Sequence, residues 1–210
     1  MHNPWLDVPA DDYVGHMSSA EVAQYPVLNR LLRDTLESTR PGALLVLGCS
    51  TGNGFEHIDP TVTSRVVGVD INPVFLQRLV ERFAGSTFPL EVRNSGLADC
   101  TFEQDAFDLV HAALLLEYVD WASVLPRLVV SLRARGALSV VLQLPSHTSP
   151  AVTPTRFTSL RLLESVFHFV EPEHLISHAT TLGLELESRH REPLESGKAF
   201  EVLRFRKGAV

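Results

Sequence analysis

Residues 44–54 read LLVLGCSTGNG, and residues 65–70 read RVVGVD. Each is an apolar run that stops abruptly, the first at a glycine-rich turn and the second at an acid. Neither alternates with polar residues, so each suits a strand covered on both faces, as in a parallel sheet. A strand that ends in a glycine turn lets main-chain N–H groups and a following helix N-terminus meet a polar or anionic part of a ligand. A carboxylate at the tip of the next strand can accept both hydroxyls of a ribose. The turn and Asp70 together point to an adenosine-containing ligand.

Working outward, the same β–α order repeats. Strands are expected at 43–48, 65–70, 88–93, 107–115 and 137–144. A short helix is expected at 53–58, before Asp59-Pro60. A longer one begins at Pro73, with Val74, Phe75, Leu76, Leu79, Val80 and Phe83 on its face, and another spans 121–132, stopped by Gly136. Ahead of the first strand, Val27, Leu28, Leu31, Leu32 and Leu36 form a helical stripe that Pro41-Gly42 ends. Residues 1–17 are expected to be a mostly irregular arm, and Ser18 and Glu21 have capping-box spacing. After Pro145 come a proline-, serine- and threonine-rich loop (146–158), helices near 159–167 and 173–182, and two strands (184–189 and 198–206) joined near Ser196-Gly197. The expected fold is a doubly wound, mostly parallel α/β sheet with helices on both faces and a C-terminal antiparallel hairpin. Residues 1–40 would form an arm and helix of the same domain, and 41–210 its body.

A chain of 210 residues suits one domain with a full core. No apolar stretch is long enough to span a membrane, and the acidic start MHNPWLDVPADDY does not read as a signal peptide. Two cysteines, Cys49 and Cys100, cannot make a disulfide framework, so a reducing, cytoplasmic setting is the default. A formal net charge of −7 disfavours a broad grip on nucleic acid and favours a small-molecule partner. The only lysines are Lys198 and Lys207. No reading of the residues fixes an oligomeric state.

Two classes of adenosine cofactor compete. The dinucleotide fingerprint G-x-G-x-x-G is not completed from Gly48 (G-C-S-T-G-N) or from Gly52 (G-N-G-F-E-H), which argues against an NAD-dependent oxidoreductase. Four segments instead resemble, in order, those of class I S-adenosylmethionine-dependent methyltransferases: VLGCSTGNG (46–54), VVGVDINP (66–73), FDLVHAALLLEYVD (107–120) and LVVSLRARGALSVVLQLP (128–145). The resemblance implies a Rossmann-like fold, S-adenosylmethionine as cofactor and S-adenosylhomocysteine as product. It implies that Gly48, Cys49, Ser50 and Gly52 face the methionine part of the cofactor, that Asp70 holds the ribose and that Ile71 lies against the adenine. Asp99, with Ala98 beside it, is the candidate for the adenine amino group. Two departures fall in the loop: Val46 stands where the family has an acid, and Ser50 where it has a second glycine. They leave a catalytically degenerate binding or scaffold protein of this fold as the alternative function.

Candidate bases for an acceptor that carries a proton are His111, Glu117 and His147, each placed near the carboxyl end of a strand, where ligands bind in open α/β sheets. The plainer reading of His111 is a hydrogen-bonded core histidine, and of Glu117 a surface turn. Tyr13 and His16 in the arm, with Tyr118 after the fourth strand, are candidates for a lid or substrate wall, and an aromatic face such as Tyr13 or Trp5 suits a sulfonium. His174 and His178 share a helix face but lack the acid of H-E-x-x-H, so no metal site is expected. The segment after the fourth strand is A-L-L-L, not N-P-P-Y, which argues against an exocyclic amino or amide nitrogen as acceptor.

Overall fold

The computed structural model describes residues 2–147 and 149–209. Seven strands form one sheet: β1 (Ala43–Leu47), β2 (Arg65–Asp70), β3 (Leu90–Asn94), β4 (Phe107–Ala113), β5 (Leu132–Gln143), β6 (Leu184–Pro193) and β7 (Ala199–Lys207). Their order is β3-β2-β1-β4-β5-β7-β6. The first five pair in parallel, and β7 runs antiparallel to both β5 and β6. Among the described residues, five α-helices accompany them: α1 (Ala10–Ser18), α2 (Tyr25–Thr39), α3 (Pro73–Arg82), α4 (Trp121–Ser131) and α5 (Pro172–Thr181).

The unbroken apolar runs are explained by burial on both faces. In β1 all five residues are buried, and their side chains alternate between two cores. Leu45 and Leu47 join α4 and α5 through Val124, Leu125, Leu128, Leu175 and Ala179. Leu44 and Val46 join α2 and α3 through Leu32, Leu36, Leu76 and Leu79. A buried aspartate at position 46 would have to sit in that second, apolar cluster, next to Cys49 and Phe55.

Five sequence expectations are corrected. The arm is not irregular: Pro4–Asp7 is a 3-10 turn and α1 follows it. Ser18 closes α1 and opens no helix, so Ser18 and Glu21 make no capping box. The helix expected at 53–58 is a single 3-10 turn, Phe55–His57. Gly136 does not stop α4 ahead of a new strand. It lies inside β5, at a bulge where Arg135 has φ 63° and the register with β4 shifts. A Cβ at Gly136 would stand 2.9 Å from the Arg133 carbonyl oxygen, which accounts for the glycine. The loop expected at 146–158 runs to Phe157, with Thr148 outside the described residues, and the helix expected near 159–167 is a 3-10 stretch, Thr158–Ser165. Among the described residues no helix is long and apolar enough to cross a membrane.

Candidate active site

At the carboxyl edge of the sheet, where β1 and β2 end, the chain after β1 passes through the left-handed region four times, at Gly48 (φ 61°), Ser50 (φ 49°), Gly52 (φ 79°) and Gly54 (φ 86°). This bend turns the Ser50 N–H toward Asp70. Ser50 N donates to Asp70 Oδ2 at 2.8 Å, and Asn72 N donates to Oδ1 at 2.9 Å. The bend has no long helix behind it. Its carbonyls at Thr51 and Gly52 instead accept from the Arg82 guanidinium of α3, and Asn53 donates to the Tyr25 carbonyl. Fixing by side chains thus replaces the helix that the sequence pattern suggested.

Asp70 is aimed at the bend and is nearly buried. Burial pushes its carboxyl up to about 6, against the pull of the Asn72, Ser50 and Ile71 N–H groups. A carboxylate has about four lone-pair sites, so these N–H groups leave part of its accepting capacity free.

A cavity of about 1120 Å³, counted with its open mouth, runs along this edge. On the β1–β2 side it is lined by Gly48, Ser50, Asp70 and Ile71, with Ser95, Gly96 and Leu97 from the β3 loop. On the β4–β7 side its wall includes Leu114, Gln143, Ala151 and Lys198. Its ionisable lining residues are Tyr13, His16, Asp70, Tyr118 and Lys198.

The arm forms the roof. Trp5 packs edge-on to Tyr118 at 5.0 Å between ring centroids and to Tyr13 at 6.1 Å, and Tyr13 lies 5.2 Å from Phe75. These rings share a cluster with Val8, Ala10, Val152, Leu160 and Leu163. Asn72 ties the roof to the site: its Nδ2 donates to the Trp5 and Val8 carbonyls at 2.8 and 3.1 Å. Ser159 Oγ donates to Asp12 at 2.6 Å, and the His16 ring bonds Thr155 Oγ1 at 3.0 Å. Burial raises the Tyr13 hydroxyl above its ordinary value. Tyr13 and Ser50 are close enough to interact, yet no well-formed hydrogen bond joins them, and Ser50 Oγ is buried without a partner. Burial, reinforced by Lys198, lowers His16 to about 4, so its imidazole is neutral at pH 7.

The site residues expected from sequence divide. Gly48, Ser50, Asp70, Ile71, Tyr13, His16 and Tyr118 all line the one cavity. Cys49 and Gly52 do not. The Cys49 side chain packs beneath Gly68, and Gly52 faces α3, where a Cβ would meet Leu79 Cδ1 at 2.3 Å. Ala98 and Asp99 are exposed outside the cavity, whose lining from the same loop is Ser95, Gly96 and Leu97. None of the three expected bases lines the cavity. His111 lies in mid-β4, its Nδ1 3.1 Å from Ser139 Oγ, and burial lowers it to about 4. Glu117 is fully buried, with Oε1 accepting from Gln143 N at 2.7 Å and burial raising it to about 7. It is a core carboxylate and not a surface turn. His147 is exposed in a bend. Among the described residues no cluster of His, Cys, Asp or Glu could hold a metal ion.

Gln24, Gln143 and Lys198 also line the cavity, and were not singled out for it from the sequence. The signal for Gln143 was a lone amide near the end of the apolar run VVLQL, where a buried strand should have no polar side chain without a use. For Lys198 it was one of two lysines set directly before a buried strand.

Residues 44–136 match a family described as a methyltransferase domain. Among solved structures, the chain is similar to an S-adenosylmethionine-dependent methyltransferase from Mesorhizobium loti (TM-score 0.67, 20% identity, covering 90% of this chain and 98% of that one). It is similar to the N-methyltransferase NodS from Bradyrhizobium japonicum, solved with S-adenosylhomocysteine (TM-score 0.67, 20% identity, 88% and 87% covered). It is also similar to the [4+2]-cyclase SpnF (TM-score 0.68, 14% identity, 87% and 81% covered). No curated protein sequence matches it significantly.

Proposed function

We propose that the chain, whose fold is shared with S-adenosylmethionine-dependent methyltransferases and whose residues 44–136 match a methyltransferase domain, is a class I enzyme of that kind and transfers a methyl group to a small-molecule acceptor. The observation that carries this reading is the single cavity bounded at one end by the 48–54 bend and Asp70 and roofed by the arm. The residues fit the cofactor. Asp70 keeps lone pairs for ribose hydroxyls, Ser50 Oγ is an orphaned polar atom in the bend, and Ile71 with Leu97 offers an apolar slot for a base. Bound S-adenosylmethionine supplies a methyl group already made electrophilic by the sulfonium.

The protein's own work is then alignment and exclusion of water, effects that can supply up to about 7–11 kcal/mol. Trp5, Tyr13, Phe75 and Tyr118 close the space over the bend with aromatic faces, which also suit a cation. His16 takes over the role first assigned to His111, Glu117 and His147. It lines the cavity, it is neutral, and one ring nitrogen remains for an acceptor's proton while the other is held by Thr155. Its low basicity suits orienting that proton more than removing it.

The test is calorimetric titration with S-adenosylhomocysteine. The wild type is expected to bind it. Asp70→Ala should weaken binding about tenfold to hundredfold, the usual loss of about 1.5–3 kcal/mol for hydrogen bonds to a charged group. Unchanged affinity in Asp70→Ala would remove Asp70 from the site. A second reading, a binding protein of this fold that transfers no methyl group, is favoured by Ser50 in the left-handed region and by the short Phe55–His57 turn behind the bend. Tight binding without labelled-methyl transfer to any acceptor of a small-molecule panel would select it.

A further inference from the structure

Lys198 is the residue that the reading above leaves unexplained. The turn between β6 and β7, closed by Gly197 N donating to the Leu194 carbonyl, delivers it to the cavity directly before β7. It is only 4% exposed. Lysines are almost never so buried unless paired, because an ammonium group taken out of water needs a counter-charge. Among the described residues no carboxylate lies within ion-pair distance of it, although Lys207 and most arginines have such partners. Among the described residues, its ammonium group donates to the Ala151 carbonyl at 2.8 Å.

The surroundings are built, not incidental. Gln143 Nε2 donates to the same Ala151 carbonyl at 2.9 Å, and its Oε1 accepts from Gln24 Nε2 at 3.0 Å. Lys198, Gln143 and Gln24 are all buried, and all three line the cavity. Two buried amides and an ammonium group therefore converge on one wall, with Met17, Val22 and Val152 as apolar neighbours in the lining. Such a wall donates hydrogen bonds and carries positive charge. Its natural complement is a carboxylate on an apolar body.

Its position separates it from the cofactor end. Asp70 ends β2, and Lys198 precedes β7, four strands away in the order β2-β1-β4-β5-β7. At about 4.8 Å per strand that is about 19 Å along the edge. We propose that this wall is the acceptor subsite, and that the acceptor is a small organic acid whose carboxylate is held by Lys198 with Gln24 and Gln143 beside it. The proposal rests on the methyltransferase reading for the word acceptor, but the carboxylate contact stands on the wall alone.

Two carboxylates could meet the lysine, that of an acceptor and that of the cofactor's amino-acid end, and the test separates them. Matched pairs of small aromatic and aliphatic carboxylic acids and their primary amides are titrated against the full chain, with and without saturating S-adenosylhomocysteine. Acids are expected to bind at least tenfold more tightly than their amides. Lys198→Met should erase that preference and Lys198→Arg should keep it, with S-adenosylhomocysteine affinity changed less than threefold in both. Lys198→Met should also melt no lower than the wild type, since it removes an unpaired buried charge. Acids and amides that bind alike, a panel in which no acid binds, or a preference that survives in Lys198→Met would each overturn the proposal. A tenfold loss of S-adenosylhomocysteine affinity in Lys198→Met would assign the lysine to the cofactor and overturn the acceptor subsite. Failure of S-adenosylhomocysteine to bind the wild type would sink the methyltransferase reading instead, while the arm without it still reports on Lys198.

Discussion

Ser50 shows how one residue can carry both strain and function. It sits at φ 49°, where an L side chain is disfavoured, and its hydroxyl is buried without a partner. Either feature alone costs stability, the backbone about 1 kcal/mol and the unmet hydroxyl about 1–3 kcal/mol. The main-chain N–H still serves, because it donates to Asp70. Glycine would keep that bond and remove both costs. Ser50→Gly is therefore expected to raise stability by about 1 kcal/mol or more, and Tm by about 2–4 °C per kcal/mol in a chain of this size. If Oγ also reaches the cofactor, the same variant should bind S-adenosylhomocysteine several-fold less tightly. A variant that is both more stable and equally tight would show the serine to be a replacement without a role. Val46, the other departure from the family pattern, has a plainer account. It fills an apolar cluster away from the cavity, so the loss of an acid there removes no lining group.

At the scale of elements, the α3 N-terminus and the arm are one device joined by Asn72. Asn72 Oδ1 caps α3 by accepting from Val74 N at 2.9 Å, while Nδ2 holds the Trp5 and Val8 carbonyls. Aspartate caps a helix as well as asparagine does, but it has no N–H to give. Asn72→Asp should leave α3 capped, free the arm and set a second carboxylate beside Asp70. Two lost hydrogen bonds at about 0.5–1.5 kcal/mol each put the expected loss near 2 kcal/mol. In a Trp121→Phe background Trp5 is the only tryptophan, so its emission reads the arm directly. A red shift with unchanged helix content in far-ultraviolet circular dichroism is expected, and unshifted emission would show that the arm is held by its aromatic contacts alone. The arm helix was hard to see in the sequence for a related reason. ADDYVGHMS has weak helical amphipathicity because its partners are residues such as Phe157 and Leu160, over a hundred positions away. Gly15 is one trace of that packing, since a Cβ there would stand 2.2 Å from Phe157 Cζ.

Across the whole molecule, local pattern and long-range packing divide what the sequence reveals. β2 was expected at 65–70 and is Arg65–Asp70, because an apolar run covered on both faces is a local signal. The orientation of Asp70 toward the bend followed from strand order. The bases did not follow, because which side of a strand end meets the cavity depends on the roof, and the roof is made by the arm and the loop after β5. The same burial that misplaced them sets the pH response of the fold. Burial raises Asp70 and Glu117 from 3.8 and 4.5 to about 6 and 7, and lowers His16 and His111 from 6.5 to about 4. For the two acids, the folded chain holds the proton more tightly, so their contribution is full in acid and declines as pH rises through about 4–7. For the two histidines, the unfolded chain binds the proton more tightly, so stability declines as pH falls from about 6.5 to 4. Two slopes of opposite sign and similar size cover one window. The Tm of the free protein should therefore change little between pH 5 and 7. Binding of S-adenosylhomocysteine should not share that flatness, because only the ionised form of Asp70 keeps all its remaining lone pairs for the ribose. With Asp70 at about 6, affinity should fall about tenfold from pH 7 to pH 5. Differential scanning calorimetry of the free protein and isothermal titration at pH 5, 6 and 7 read the two quantities separately. A steep fall in Tm toward pH 5 would show the histidine slope to be unopposed. An affinity independent of pH would mean that ribose recognition does not need the charge on Asp70.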